Sequence, residues 1–153
     1  AYRKLHDLIG AYPENTRPAV ENLYVRGILT GKFPTINSVV DTCNLASVRS
    51  QLPIGVFDRD RITGDVTLRL SVAGDRFVPI GKTGPVDIEP GIPILVDQTR
   101  IISIPGVRDS NETKITKHTK NLLLFSWGTE DILAGSVKNA LLEATELIQE
   151  PMK

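Results

Sequence analysis

The sequence predicts an α+β chain with N-terminal helices, a central, mostly antiparallel sheet and a C-terminal helix. Three observations carry this. Apolar residues recur at helical spacing through the first fifty positions and again near the end. Between them the pattern changes to short alternating runs broken by turn residues. Helices and strands are therefore segregated along the chain instead of alternating, which separates α+β from α/β.

Ala1 to Ile9 reads as a helix with Leu5, Leu8 and Ile9 on one stripe, ended near Gly10. Tyr12-Pro13-Glu14-Asn15 reads as a turn, and Thr16 can cap a second helix with Pro18 in its first turn. In that helix Val20, Leu23, Tyr24 and Ile28 follow one buried face, and Gly31 ends it. A third helix runs from about Asn37 to Arg49, capped by Asn37 or Ser38. Pro53 stops it, because proline lacks the amide donor and biases Leu52 away from helical geometry. Gly55 then falls in a loop, and Asp58 and Asp60 cap a short turn. Strands are expected at Asp65 to Leu70 with one wet face, Arg76 to Ile80, Ile92 to Val96, Ile101 to Ile104, and a more buried Asn121 to Trp127. A last helix spans about Asp131 to Gln149.

The length of 153 residues suits a single domain able to bury about two-thirds of its unfolded surface. Lys plus Arg and Asp plus Glu are 18 each, so no global basic field exists for gripping nucleic acid nonspecifically. One cysteine excludes an intrachain disulfide and points to a reducing cytoplasm. The apolar runs are too short to span a bilayer as helices, so no membrane partner is expected. The chain opens at Ala1-Tyr2-Arg3 without Met and already in a helical pattern, so a preceding N-terminal segment is expected.

The order of several short motifs resembles the B3/B4 domain of the phenylalanyl-tRNA synthetase beta subunit. Val39-Val40-Asp41-Thr42-Cys43-Asn44 is similar to that family's V-V-D-x-T-N, and Pro53-Ile54-Gly55-Val56-Phe57-Asp58 to its P-x-H-A-F-D, with no gap between them. The likeness continues through Gly64 to Arg69, Gly74, Ile104-Pro105-Gly106 and Asn121-Leu122-Leu123-Leu124. The whole chain looks most like the free-standing B3/4-domain proteins, with their late K-I-T-x-x-T-x-N at Lys114 to Asn121.

The resemblance implies a B3/B4-like fold and a pocket. In the synthetase that pocket hydrolyses tyrosine wrongly attached to the phenylalanine tRNA, by bonding the hydroxyl that distinguishes the two amino acids. Carried over residue by residue, its threonine position is Cys43, its histidine position Gly55 and its glutamate position Phe125, while a pocket glycine falls at Asp109. None of the three editing side chains is matched, so no catalytic residue is assigned. The resemblance implies a pocket walled by Asn37, Asp41, Cys43, Asn44, Gly55, Phe57, Asp109 and Phe125, where the helix of Asp41, the corner at Phe57 and the strand of Leu123 converge.

Each candidate has a plainer alternative. Cys43 could be a nucleophile if a cation lowered its pKa, but a packed thiol is the commoner state. Asn37, Asp41 and Asn44 share a helix face and could bind an aminoacyl or nucleotide group or hold the following loop by its backbone. Phe125 and Trp127 could stack bases or fill the core. Lys114, Lys117 and Lys120 recur every third residue and are the candidate RNA-backbone contacts, against a solvated turn. No metal-ligand spacing is present, Gly81-Lys82-Thr83-Gly84 lacks the glycine-rich part of a phosphate loop, and no cofactor is expected. Two function classes follow. One is an aminoacyl-tRNA-related module that recognises tRNA, aminoacyl-tRNA or a small amino-acid-like ligand, or edits in trans. The other is a non-catalytic ligand-binding or protein-interaction domain on the same scaffold.

Overall fold

The computed structural model describes residues 2–9 and 17–149, so the expected turn at Tyr12 to Asn15, the helix end near Gly10 and the Thr16 cap lie outside the described residues. The chain divides into two compact units. The first comprises Ala1–Leu5, Arg17–Val56 and Leu124–Lys153, and the second His6–Thr16 and Phe57–Leu123.

Helix α1 covers Tyr2–Ile9 and α2 covers Ala19–Tyr24, with Pro18 as an extended N-cap residue. The expected single second helix instead passes into a π-helical turn at Val25–Leu29. A π turn holds more residues than an α turn, so the buried stripe loses phase across it. Tyr24 and Ile28, expected on one buried face with Val20, are 43% and 59% exposed. A Cβ on Gly27 would lie 2.4 Å from Cδ2 of Phe33, so only glycine lets that ring lie against this turn.

Helix α3 covers Ser38–Ser50, with Asn37 as the N-cap. It ends before Pro53 can act: Gln51 takes a left-handed conformation at φ 59°, and the Ser50 hydroxyl accepts from the Leu52 amide at 3.3 Å. Cys43, Ala46 and Ser47 are the buried residues of α3, and Ala140 and Ala144 those of α4, Ala134–Gln149. Such small side chains let two helices pack closely, and Arg49 Nε meets Glu143 Oε1 at 2.8 Å between them. The core of the first unit gathers Tyr2, Leu52 and Ala140, with Val20, Ile54, Trp127, Ile132 and Val137 packed against them. The Tyr2 and Trp127 rings meet edge to face at 5.0 Å, and the Tyr2 hydroxyl donates to the Trp127 carbonyl at 2.6 Å. Trp127 therefore has the packing role.

Gly55, expected in a loop, lies in strand β1, Ile54–Asp58, which pairs with β8, Leu122–Ser126. The five residues after Pro53, with Gly55 among them, show no polar–apolar alternation that marks a strand. In the second unit Asp58 caps a 3-10 turn at Arg59–Arg61, as expected. A four-stranded antiparallel sheet runs in the order β2-β5-β6-β7, with β2 Thr67–Leu70, β5 Pro93–Val96, β6 Ile101–Ile104 and β7 Arg108–Asp109. Strands β3, Arg76–Phe77, and β4, Val86–Asp87, form a separate antiparallel pair. Phe77, Ile88, Ile92, Ile94 and Ile101 make the core of this unit.

Strand β2 departs from the one-wet-face expectation. It lies at the sheet edge, and its apolar residues Leu68 and Leu70 are 56% and 61% exposed. Strand β8, expected to be more buried than the others, is half-buried at every position. Strands β4 and β7 escaped the sequence reading because two-residue strands carry no period.

Candidate functional site

The first unit holds six of the expected pocket residues. Asn37 Oδ1 accepts from the Val40 amide at 3.0 Å, which satisfies a free donor at the start of α3. One turn on, Asp41 Oδ1 accepts from the Ile36 amide at 2.8 Å and so holds the loop that enters the helix. Asn44 is half-buried on the same helix. Of the three, Asp41 thus braces a loop, and it is the preceding one, not the following one. The loop that follows is held by Ser47, whose hydroxyl accepts from the Ile54 amide at 3.0 Å. Ser47 is 1% exposed, and nothing in its sequence position marks it as the residue that holds this loop.

Cys43, Gly55 and Phe125 stand on three linked elements: the Ser47 contact joins α3 to β1, and β1 pairs with β8. Cys43 is 1% exposed, and burial pushes its thiol up to about 12. A thiol with that pKa is protonated at neutral pH and makes a poor nucleophile. Gly55 offers only backbone there, and half-buried Phe125 offers an aromatic face. These three positions can shape and line a surface, but none of their side chains gives up or takes up a proton near pH 7.

A hollow of about 210 Å³ opens in this unit between α2 and the end of α3. Its walls are Val20, Glu21, Tyr24, Val48 and Gln51, none of them among the expected pocket residues. Glu21 is bonded there by Arg3.

The second unit holds Phe57 and Asp109. Phe57 is 1% exposed and acts as a packed corner. Asp109 lies on β7 opposite Ser103, whose hydroxyl donates to its Oδ1 at 2.7 Å. Burial pushes the Asp109 carboxyl above the ordinary range, and the Ser103 hydrogen bond opposes this in part. Lys117 and Lys120 are exposed, whereas Lys114 is half-buried and donates to Asn111 Oδ1 at 2.7 Å. The segment is a turn and not a helix, with the Thr119 amide donating to the Thr116 carbonyl at 3.1 Å, so the three lysines do not share a helix face.

Two residues of that segment have structural work that spacing alone did not disclose. Thr119 Oγ1 donates to Asp58 Oδ2 at 2.8 Å, and Asn121 Nδ2 lies 2.9 and 3.0 Å from the two carboxylate oxygens of Asp60. The Asp58 amide donates to the Thr113 carbonyl at 2.8 Å, and the Arg59 amide to that of Asn121 at 2.9 Å. The two turns are clasped by side chains and backbone together. The T-x-x-T-x-N pattern was the available signal; its partners became visible only in three dimensions.

Among the described residues no group of His, Cys, Asp and Glu could hold a metal ion, and no helix is long and apolar enough to cross a membrane.

The profile of a family described as the B3/4 domain matches residues 1–152. The phenylalanine–tRNA ligase beta subunit of Mycoplasma genitalium is 31% identical over 99 residues, 64% of this chain and 12% of that protein. The one from Methanococcus maripaludis is 30% identical over 142 residues, covering 75% of this chain and 25% of that protein. The tRNA(Ile)-lysidine synthase of Caldanaerobacter subterraneus subsp. tengcongensis is 28% identical over 127 residues, 72% of this chain and 27% of that protein. The chain thus spans between an eighth and roughly a quarter of these relatives. Among solved structures, an N-terminal fragment of the phenylalanyl-tRNA synthetase beta subunit from Pyrococcus horikoshii matches with a TM-score of 0.63 at 18% identity, covering 75% of this chain and 41% of that one. That likeness is one of fold and agrees with the α+β architecture.

Proposed function

The chain belongs to the B3/4 domain family and is related to part of synthetase beta subunits, and we propose that it recognises an aminoacylated RNA end or a small amino-acid-like ligand. The observation that carries this reading is the family match over residues 1–152. It is supported by the relatives' names: a phenylalanine–tRNA ligase subunit and a tRNA(Ile)-lysidine synthase both name a tRNA, and both contain a segment like this chain. In this reading residues 1–153 work as one B3/4-type domain in the cytoplasm. Asn37, Asp41, Asn44, Gly55 and Phe125 of the first unit line the ligand surface, and Cys43 is buried within that unit.

Cys43, Gly55 and Phe125 favour recognition over the editing reaction. A buried protonated thiol, a glycine and a phenylalanine supply no general base and no acceptor for a tyrosine hydroxyl. Any ester hydrolysis would rest on water held by backbone and polar groups. The test is a panel of correctly charged and mischarged tRNAs, scored for binding and for deacylation. Binding to at least one member is expected; neither binding nor deacylation across the panel overturns the reading.

The same three residues support a second reading, a non-catalytic small-ligand or protein-interaction domain that kept the scaffold. Thermal-shift measurements with amino acids, nucleosides and their analogues separate the two. Stabilisation by a free small molecule with no tRNA affinity favours the second.

A further inference from the structure

The clasp between residues 58–61 and 119–121 does more than brace two turns. Arg59 sits between Asp58 and Asp60, and Lys120 between Thr119 and Asn121, so the two clasping contacts bring these cations next to each other along the backbone. Across residues 58–62 and 114–121 there are five lysines and arginines against two carboxylates, a net +3 in a chain whose total charge is zero. The two carboxylates are engaged inside the clasp: Asp58 by Thr119 and the Asp60 amide, Asp60 by the Asn121 amide group. Two of the cations are engaged as well. Lys114 donates to Asn111, and Arg61 is shared between the Glu112 carbonyl at 3.3 Å and Asp58 at 3.5 Å.

That leaves Arg59, Lys117 and Lys120, all exposed, on a framework fixed by hydrogen bonds. Arg59 Nη1 donates to the Ile62 carbonyl at 3.0 Å, which ties the exposed side chain to its own turn. Every exposed residue of the two turns is charged or polar, and Ile62 is buried. A protein interface would need an apolar or aromatic anchor here, whereas a phosphate backbone needs only cations and polar donors held in register.

We propose that the clasped turns form a contact surface for the phosphate backbone of RNA, with Arg59, Lys117 and Lys120 as its contact side chains. This rests on the reading above that the chain engages tRNA, and it specifies the face that does so.

The test compares wild type, the triple variant Arg59→Gln/Lys117→Gln/Lys120→Gln, and Lys82→Gln as an exposed control outside the clasp. Each is titrated over a range of salt with one tRNA, uncharged and aminoacylated, and with polyglutamate as an acidic polypeptide. Three lost contacts should flatten the slope of log K against log salt by about 2, at roughly 0.7 per single-strand phosphate, and weaken binding at least tenfold in low salt. Lys82→Gln should leave both unchanged. If the triple variant fails to match the wild-type urea midpoint, the single Lys117→Gln and Lys120→Gln slopes, each about 0.7 shallower, decide instead. Unchanged slopes, no RNA affinity in wild type, or polyglutamate binding as tight as RNA overturns the proposal. If charged and uncharged tRNA bind alike through the three cations, this surface stands and recognition of the aminoacyl end falls. If aminoacylated tRNA binds without need of them, the reverse holds.

Discussion

The hydroxyl of Thr119 donates a 2.8 Å hydrogen bond to Oδ2 of Asp58, 61 positions earlier in the chain. Asp58 is 5% exposed, so its carboxylate depends on donors supplied by the protein. Thr119→Val keeps the shape and removes one of them. We predict a loss of about 1–3 kcal/mol, the usual range for a buried acceptor deprived of a partner, measured by urea unfolding. Asn121→Ala acts on the more exposed Asp60 and should cost less. Equal, small effects from both would show that the clasp does not hold these turns.

The Arg69–Asp75 pair predicts an acid-side loss of stability. Nη1 and Nη2 of Arg69 donate to both carboxylate oxygens at 2.7 and 2.8 Å, and the Val72 amide adds a third donor at 2.7 Å. The Arg69 hydrogen bonds, opposed by desolvation, lower the Asp75 pKa from 3.8 to about 2. A carboxylate held low in the folded state adds stability above its unfolded pKa, and that stability fades as pH falls from about 4 towards 2. Because the Arg69 side chain is 39% exposed, the contribution should be about 1 kcal/mol. Asp75→Asn should cost this much at pH 7 and little at pH 2, by denaturant melts at each pH.

Asp109 predicts the opposite sign. Its folded pKa is raised by burial, so ionising it in the native state is unfavourable and its drag on stability grows as pH rises above the ordinary carboxylate range. Asp109→Asn retains an oxygen that can accept from Ser103. The Tm of this variant should exceed wild type at pH 7 and equal it near pH 3. A lower Tm at pH 7 would mean that the charge is needed in the fold.

Cys43 should behave as a core residue. At 1% exposure, and with its pKa pushed up to about 12, the thiol should resist a disulfide reagent in native buffer and react at once in urea. Cys43→Ala should leave tRNA affinity within twofold of wild type. Fast native labelling would put the thiol within reach of solvent and restore it as a candidate nucleophile.

What could be read from sequence was what repeats or caps. The Asn37 cap, helix α3 and the strand at Ile101–Ile104 follow from local chemistry, and the structure has them. What could not be read depends on distant partners. The π turn at Val25–Leu29 has no sequence period of its own, so Tyr24 and Ile28 were placed on the wrong face. Leu68 and Leu70 alternate like a half-buried strand, yet β2 lies at an edge where burial depends on a neighbour. Within the first unit, Cys43, Gly55 and Phe125 stand on elements linked by the Ser47 contact and the β1–β8 pairing. Ser47, which ties α3 to β1, and Thr119, which holds Asp58, were legible as residues but not as contacts.

The most direct measurement is an NMR titration of the whole chain with a non-hydrolysable aminoacyl-adenosine amide. Saturable shifts in the amides of Gly55 and Phe125 are the expected result. No saturable shift for any aminoacyl group, or shifts confined to the hollow at Val20 and Tyr24, would contradict it.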